Sequence, residues 1–231
     1  MGGKGVRLKE IDSHPKPLIL VDGIPMVKRV IDSLGFVSCI SQFTYVVRTE
    51  HRSLFEKANV VHSFPFGTLF EMREDNRGQT ETCLLAQGVI NNDEPLFIVN
   101  CDNVFDWNPE VFLEEMKDPD ITGSILTFKE KTETTHWCFA EVDLFGEVRR
   151  LEEKIPISRD ALAGGFYWKK GSDFVKYARR SIAKNKRAKN GEFYLGAVYN
   201  EPIGEGKTIK TFNIAGMQSL GTPKELEEFK V

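Results

Sequence analysis

The chain has 231 residues, of which 41% are hydrophobic and 28% are charged, and its formal net charge at pH 7 is −3. This is the composition of an ordinary globular protein, which excludes disordered and fibrous classes, and the weakly negative charge gives no general attraction to nucleic acid or anionic membranes. Since no apolar run reaches the ~20 residues of a membrane span and no signal peptide is visible, we expect one cytoplasmic domain over residues 1–231, with no nucleic-acid or membrane partner.

The chain begins with a glycine-rich stretch that favours phosphate binding. Gly2, Gly3 and Gly5 carry no Cβ, so their backbone N–H groups can turn toward a ligand. Arg7 and Lys16 add two cations to this stretch. The same residues are compatible with a loose chain terminus, so their interpretation depends on the motifs that follow.

Helix and strand patterns alternate over the first half of the chain. The predicted elements are a helix at 25–34 that ends at Gly35, a strand at 43–47, a helix at 51–58, a short strand at 60–61, a helix that begins near 79–80, a strand at 95–100 and a helix that begins at 108–110. The 95–100 run is apolar throughout, which is typical of a strand buried on both faces of a mostly parallel sheet.

The second half is richer in strands. The predicted elements are strands at 121–128, 138–142, 148–151 and 163–168, a helix at 172–187, a strand at 208–215 and a helix at 223–229. This order favours a three-layer α/β domain with a β-rich elaboration. Ligands bind outside the carboxyl ends of the strands in such sheets, which is where Asp102 follows the 95–100 strand.

Four cysteines stand at irregular spacings without a C-x-x-C pair, at positions 39, 83, 101 and 138. This spacing does not match a zinc site. We expect free, buried thiols in preference to disulfides or metal ligands.

A series of motifs, taken in chain order, resembles the sugar-1-phosphate nucleotidylyltransferases, or sugar-nucleotide pyrophosphorylases, such as glucose-1-phosphate thymidylyltransferase. The motifs are the glycine-rich loop at 2–7, Pro-Lys-Pro-Leu at 15–18, Arg-Gly-Gln-Thr-Glu at 77–81, Asn-Cys-Asp-Asn at 100–103, Leu-Glu-Glu-Lys-Ile-Pro at 151–156, Ala-Gly-Gly-Phe-Tyr at 163–167, Gly-Glu-Phe-Tyr at 191–194 and Leu-Gly-Thr-Pro at 220–223. Each motif is weak alone, and their shared order over almost the whole chain carries the resemblance.

The resemblance implies a Rossmann-like nucleotidyltransferase fold with a mixed, mostly parallel sheet. It also implies an enzyme of nucleotide-sugar biosynthesis that transfers NMP from a nucleoside triphosphate to a sugar 1-phosphate or similar phosphorylated acceptor and releases pyrophosphate. Mg²⁺ is the implied cofactor, because this hard ion suits carboxylate and phosphate oxygens.

The resemblance also assigns roles to residues of this chain. The implied catalytic residues are Arg7 for the departing pyrophosphate, Lys16 for the α-phosphate and Asp102 for the metal. The implied nucleotide-binding residues are Gly2, Gly3, Gly5, Gly78 and Gln79. The implied substrate-binding residues are Glu153, Lys154, Gly165 and Glu192, of which Lys154 would neutralise the acceptor phosphate.

The chain departs from the family pattern at two places. Ser219 stands where most members have an aspartate that is a second metal ligand, so this position supplies no carboxylate. Family members also carry a short apolar strand before the glycine loop, whereas Met1 falls within the loop here. Our hypothesis is that the chain begins at an internal methionine or at a misassigned start codon.

Three alternatives stay open at the level of sequence. One is a non-catalytic nucleotide-binding relative, which Ser219 and the absent strand would suit. Another is a metal-dependent glycosyltransferase of similar fold, in which Asp102 and Asp106 would form the acidic motif. A dinucleotide-binding oxidoreductase is disfavoured, because Leu8 stands where a third glycine belongs. The sequence leaves open the nucleotide, the acceptor and whether the chain forms a homo-oligomer.

Overall fold

The computed structural model describes residues 8, 13–58, 67–132 and 134–229. Its strands are β1 (Leu20–Val21), β2 (Ile24–Pro25), β3 (Phe43–Arg48), β4 (Gly67–Met72), β5 (Leu96–Val99), β6 (Asn103–Asp106), β7 (Ile121–Lys129), β8 (Cys138–Val142), β9 (Val148–Glu153), β10 (Asp160–Trp168), β11 (Thr208–Asn213) and β12 (Gly216–Ser219). Its α-helices are α1 (Met26–Ser33), α2 (Arg52–Lys57), α3 (Gln79–Leu84), α4 (Gln87–Ile90), α5 (Pro109–Glu115), α6 (Gly171–Ala183), α7 (Leu195–Val198), α8 (Asn200–Gly204) and α9 (Pro223–Glu228).

Every element predicted within these ranges is present, with ends that differ by a few residues; the short strand predicted at 60–61 lies outside the described residues. The helix predicted to reach Arg187 ends at Ala183. Asn185 follows with φ of 54°, a left-handed conformation that stops helices and that asparagine tolerates. Strands β1, β2, β4, β6 and β12 were not predicted, and four of them have four residues or fewer, too few to show a periodic pattern.

The chain divides into two compact units. Unit 1 comprises Met1–Asp75, Asn100–Pro109 and Gly216–Val231, and unit 2 comprises Asn76–Val99 and Glu110–Ala215. The organisation of residues 1–231 as a single domain stays a prediction.

Unit 1 contains α1 and the antiparallel pair of β6 and β12. Helix α1 buries Met26, Val27, Val30 and Ile31, whose spacing places them on one face. The last residue of α1, Ser33, binds the chain around β6: its hydroxyl accepts the Phe105 N–H at 3.2 Å, and its carbonyl accepts the Trp107 indole N–H at 2.9 Å. These bonds attach β6 to the end of α1. A second sheet of this unit pairs β3 with β4 in parallel.

Unit 2 is organised around β10, whose nine residues are all buried. One edge of β10 pairs with β7 along its length, and the other edge is shared by β8 near its start and β5 near its end, all antiparallel. Strand β9 extends the sheet beyond β8 in an antiparallel hairpin, and β11 extends it beyond β7 in parallel. Among the strand pairs that the structure describes in unit 2, β7 with β11 is parallel and the others are antiparallel, and the predicted mixed α/β class is confirmed.

The core of unit 2 is centred on an aromatic residue of β10 and on Tyr199, which follows α7. The rings of Trp168 and Tyr199 stack with centroids 4.2 Å apart. The Tyr199 hydroxyl donates to the Tyr167 carbonyl at 2.9 Å, so its one polar group is satisfied inside the core. Stacking and hydrogen bonding together fix the segment after α7 against the sheet.

Two further findings concern the cysteines and the lengths of the helices. All four cysteines are free, as predicted, but Cys39 is exposed and the other three are only half-buried. The expectation of a buried thiol was wrong for Cys39, because the apolar pattern around a residue does not fix the accessibility of its own side chain. None of the helices in the described ranges is long and apolar enough to cross a membrane.

Gly171, the first residue of α6, provides a sharp test of packing in unit 2. A Cβ at this position would lie 1.9 Å from the Ile90 carbonyl oxygen, so alanine forces backbone movement. We expect Gly171→Ala to lower the free energy of unfolding by about 2 kcal/mol or more, measured by urea denaturation. The matched control is Gly88→Ala in α4, where nothing lies within 4 Å of the new Cβ and no loss is expected. Equal effects of the two variants would contradict this packing.

Glu205, just after α8, provides a test of charge. Its carboxylate pairs with the Arg180 guanidinium and accepts the Tyr177 hydroxyl at 2.7 Å. The hydrogen bond from Arg180, and to a smaller extent the one from Tyr177, lowers the pKa of the Glu205 carboxyl from 4.5 to about 2. A lowered folded-state pKa stabilises the fold above the unfolded value, and this contribution is lost as the pH falls from about 4.5 through about 2.

We therefore expect Glu205→Gln to flatten the dependence of Tm on pH across that window. Glu227→Gln, at an exposed glutamate of α9, is the control and should leave the dependence as it is. The check is thermal unfolding followed by circular dichroism at pH 2 to 6, and parallel curves for wild type and Glu205→Gln would refute the assigned role of this carboxylate.

Candidate functional site

Unit 1 brings together two of the residues predicted to be catalytic. Lys16 begins a single turn of 3-10 helix, Lys16–Leu18, and Asp102 lies in the turn between β5 and β6. The Lys16 ammonium donates to Asp102 Oδ2, across 86 residues of sequence. The two side chains are 19% and 23% exposed, so the pair is sheltered but open to a ligand.

The backbone around Asp102 is fixed by the segment that ends unit 1. Strand β12 pairs with β6 so that Ser219 lies opposite Asn103, and the next residue, Leu220, donates its N–H to the Asp102 carbonyl at 2.7 Å. Leu220 is completely buried, which anchors this contact. Ser219 is therefore adjacent to the turn of Asp102, at the place where the family pattern has a carboxylate.

Gly221 lies where three charged groups converge. A Cβ at this position would lie 3.3 Å from Lys16 Nζ and 3.4 Å from Asp102 Oδ2. It would also lie 3.3 Å from Oε2 of Glu225, which accepts the Thr222 hydroxyl at 2.9 Å in the first turn of α9. Gly221 thus keeps open the space beside the Lys16–Asp102 pair.

These residues fit a Mg²⁺ ion that is held mostly by its substrate. Mg²⁺ commonly binds one or two carboxylates together with substrate phosphates and water. Asp102 supplies one carboxylate, and in the ranges that the structure describes there is no cluster of three or more His, Cys, Asp or Glu side chains that would form a complete metal cage. The predicted glycine loop, with Gly2, Gly3, Gly5 and Arg7, lies outside the described residues.

In unit 2, the predicted nucleotide loop packs against the predicted substrate segment. Gly78 has φ of 125°, and a Cβ there would lie 2.7 Å from the Phe193 backbone and 3.2 Å from Cβ of Glu192. The Phe193 carbonyl accepts the Thr80 N–H at 3.1 Å, and its N–H donates to the Arg77 carbonyl at 2.7 Å. Both the left-handed backbone and the close approach require glycine at position 78. Gln79 begins α3 directly after this contact.

Lys154 is held in the same unit by Tyr194. Its Nζ donates to the Tyr194 hydroxyl at 3.2 Å and lies 5.2 Å from the centre of that ring. The Asn190 amide donates to the same hydroxyl at 2.8 Å and to Glu192 at 3.2 Å. The Tyr194 hydrogen bond raises the pKa of Lys154, and burial raises the pKa of Tyr194. Lys154 is therefore a stable cation at the surface of unit 2.

Glu153 directly precedes Lys154 and is more buried than it. It is opposite Cys138 in the β8–β9 pair, and burial raises the pKa of its carboxyl, an effect that the positive charge of Lys154 opposes. The arrangement places a half-buried carboxyl beside an exposed ammonium, a pair that can accept a hydrogen bond from a hydroxyl group and attract an anion.

Gly165 lies in β10, opposite Val99 of β5. A Cβ at this position would lie 2.7 Å from a methyl carbon of Leu126 and 3.0 Å from the Phe97 ring. Close packing in the sheet accounts for glycine here, and a role in substrate binding stays a prediction.

Sequence reasoning missed Tyr194 and Asn190 as members of this cluster. Both flank the Gly-Glu-Phe segment that the motif at 191–194 indicated, and Tyr194 is the last residue of that motif. Its hydroxyl was not selected because the contact with Lys154 spans 40 residues. The available signal was a tyrosine two residues after Glu192, which was predicted to bind substrate.

Comparisons with known proteins agree with this fold. A sequence model of the nucleotidyl transferase family matches residues 1–206. The chain is similar to the nucleoside-diphosphate-sugar pyrophosphorylase from Vibrio cholerae RC9, with 23% identity over 98% of this chain and 96% of that one and a TM-score of 0.83.

Two further solved structures are similar to this chain. A protein from Bacillus anthracis assigned as a glucose-1-phosphate thymidylyltransferase has 18% identity over 98% of this chain and 90% of that one, with a TM-score of 0.79. The inositol-1-phosphate CTP transferase from T. maritima has 17% identity over 97% and 88%, with a TM-score of 0.75. The predicted Rossmann-like nucleotidyltransferase fold is confirmed, and with the family match over residues 1–206 the chain belongs to the nucleotidyl transferase family of enzymes.

Proposed function

We propose that this enzyme transfers NMP from a nucleoside triphosphate to a sugar 1-phosphate or a similar phosphorylated acceptor. An oxygen of the acceptor phosphate attacks the α-phosphorus, the bond from that phosphorus to the bridging oxygen of the β-phosphate breaks, and pyrophosphate leaves. The observation that carries the proposal is the sheltered contact between Lys16 and Asp102, two motif residues 86 positions apart. The relatives named above support the choice of acceptor class.

Transfer at phosphorus needs alignment of the two phosphates and neutralisation of charge more than covalent help from the protein. Lys16 neutralises the α-phosphate once it exchanges the Asp102 carboxylate for a phosphate oxygen. Lys154 neutralises the acceptor phosphate so that two anions can approach, and the Tyr194 hydroxyl orients its ammonium. Arg7 is proposed to stabilise the departing pyrophosphate.

Asp102 would hold Mg²⁺, as argued from its carboxylate above. The bound ion supplies positive charge to phosphate oxygens. Gly78 and Gln79 are proposed to contact the nucleotide, and Glu153 and Glu192 the acceptor.

The glycosyltransferase alternative loses support from the geometry of β6. Asp102 precedes this strand, whereas Asp106 ends it and pairs with Gly216. Four strand residues separate the ends by roughly 10 Å or more, because a strand rises about 3.3 Å per residue. The two aspartates therefore do not form one metal-binding pair.

The direct experiment is a screen for pyrophosphate release. Purified protein with Mg²⁺ is incubated with UTP, dTTP or CTP, each paired with glucose 1-phosphate or inositol 1-phosphate. Release that requires both partners of one pair supports the proposal, and sugar transfer from a nucleotide sugar without pyrophosphate release would contradict it.

We expect Lys16→Ala and Asp102→Ala each to lower kcat/KM for pyrophosphate release by about 10²-fold or more, because each removes a charge from the reacting phosphates or their cation. Tm should change little, since a partly exposed ion pair contributes little to stability. Lys28→Ala is the matched control: Lys28 pairs with Asp32 on the exposed face of α1, 2.8 Å away, and its loss should leave turnover within about twofold. Near-normal turnover in either site variant would contradict the assignment.

We expect Gly221→Ala to lower kcat/KM by about tenfold, because the new methyl group displaces the ends of Lys16 and Asp102 by a few tenths of an ångström. The displaced groups are flexible side chains, so the loss should appear in turnover and not in Tm. Gly216→Ala in β12 is the control, since its Cβ would meet only Cβ of Asp106, at 3.9 Å. Unchanged kinetics in Gly221→Ala would show that the space beside the pair is not used.

A further inference from the structure

Asn200, the first residue of α8, makes an unusual pair of hydrogen bonds with β9. Its Oδ1 accepts the Leu151 N–H at 2.9 Å, and its Nδ2 donates to the Leu151 carbonyl at 2.9 Å. One side chain thus satisfies both backbone groups of a buried strand residue.

These bonds pair the backbone of Leu151 in the way that a neighbouring strand would. Strand β9 pairs with β8 along one edge, and Leu151 lies opposite Ala140 there. Asn200 occupies the other edge at Leu151 with the donor and acceptor of a peptide group. A carboxylate of the same size lacks the donor, and alanine lacks both groups.

The strand held in this way leads directly to Lys154, three residues beyond Leu151. Lys154 has φ of 59°, and its N–H donates to the Trp137 carbonyl at 2.9 Å. Its backbone is therefore fixed in a left-handed conformation that a non-glycine residue adopts only when its surroundings impose it. A shift of β9 would move the ammonium away from Tyr194.

The partner of that ammonium belongs to the same stretch of chain as Asn200. Tyr194 immediately precedes α7, and Asn200 begins α8, six residues later. Asn200 therefore ties the segment that carries the Tyr194 hydroxyl to the strand that carries Lys154. Its two bonds to Leu151 thus join the segments that carry the two groups.

We propose that Asn200 is a positioning residue that places Lys154 for the phosphate of the acceptor. This role rests on the function proposed above. Asn200 itself touches no reacting atom, and its effect passes through Lys154.

A double-mutant cycle tests whether the two residues act together. Asn200→Ala, Lys154→Met and the double variant are compared with wild type, and Asn91→Ala, at an exposed asparagine after α4, is the control. The cycle is read as KM for glucose 1-phosphate in pyrophosphate release and as Kd for inorganic phosphate by calorimetry. Asn200→Asp, which keeps the acceptor for the Leu151 N–H, serves if the alanine variant does not fold.

We expect Asn200→Ala to raise KM for the acceptor and Kd for phosphate about tenfold, with KM for the nucleotide within about twofold. In the Lys154→Met background the same substitution should change neither value. A tenfold effect that persists without Lys154, or an equal rise in KM for the nucleotide, would show a purely structural role and overturn the inference.

The two readouts separate this inference from the proposed function. A wild-type chain that binds phosphate through Lys154 but releases no pyrophosphate from any pair contradicts the function, and the binding cycle then decides the role of Asn200. A wild-type chain that binds no phosphate overturns the inference.

Discussion

The contact between Lys16 and Asp102 is the interaction on which the site of unit 1 depends. A partly exposed ion pair contributes little to stability, so its value lies in placing two charges before a ligand arrives. The backbone positions both residues. Leu220 donates its N–H to the Asp102 carbonyl, and Pro17 and Leu18, which follow Lys16, are buried. In the proposed function, nucleotide binding would then require only that the Lys16 ammonium exchange one anionic oxygen for another, which needs little reorganisation.

In unit 2, one segment of the chain contacts both the loop of Gly78 and the side chain of Lys154. The segment 190–194 contacts the Gly78 loop through Glu192 and Phe193, and it contacts Lys154 through Tyr194. One short stretch of chain therefore fixes both the predicted nucleotide loop and the predicted acceptor cation. A substitution that shifted this segment would disturb both elements at once.

Much of the fold could be predicted from local patterns. The apolar run before Asp102 indicated β5 and placed the carboxylate after a strand end, and Gly35 marked the end of α1. What local patterns could not show are contacts between distant residues. Tyr194 meets Lys154 across 40 positions and Asn200 meets Leu151 across 49, and no periodicity encodes such pairs. The predicted end of α6 at Arg187 was wrong for a local reason: Asn185 adopts a left-handed backbone that stops the helix, although the basic residues after it are typical of a last helical turn.

The replacement of a family aspartate by Ser219 changes the charge balance of unit 1 less than the sequence alone indicates. The carboxylates of Asp102 and Glu225 and the ammonium of Lys16 converge near Gly221, which gives two negative charges and one positive charge at this point. Glu225 also accepts the Thr222 hydroxyl, so its carboxylate is held in place by the first turn of α9. A triphosphate that approached this surface would add several negative charges, and Lys16 alone could not balance them. The geometry of these side chains therefore supports the proposal that a divalent cation accompanies the nucleotide, with Asp102 as its carboxylate and Ser219 as a neutral neighbour.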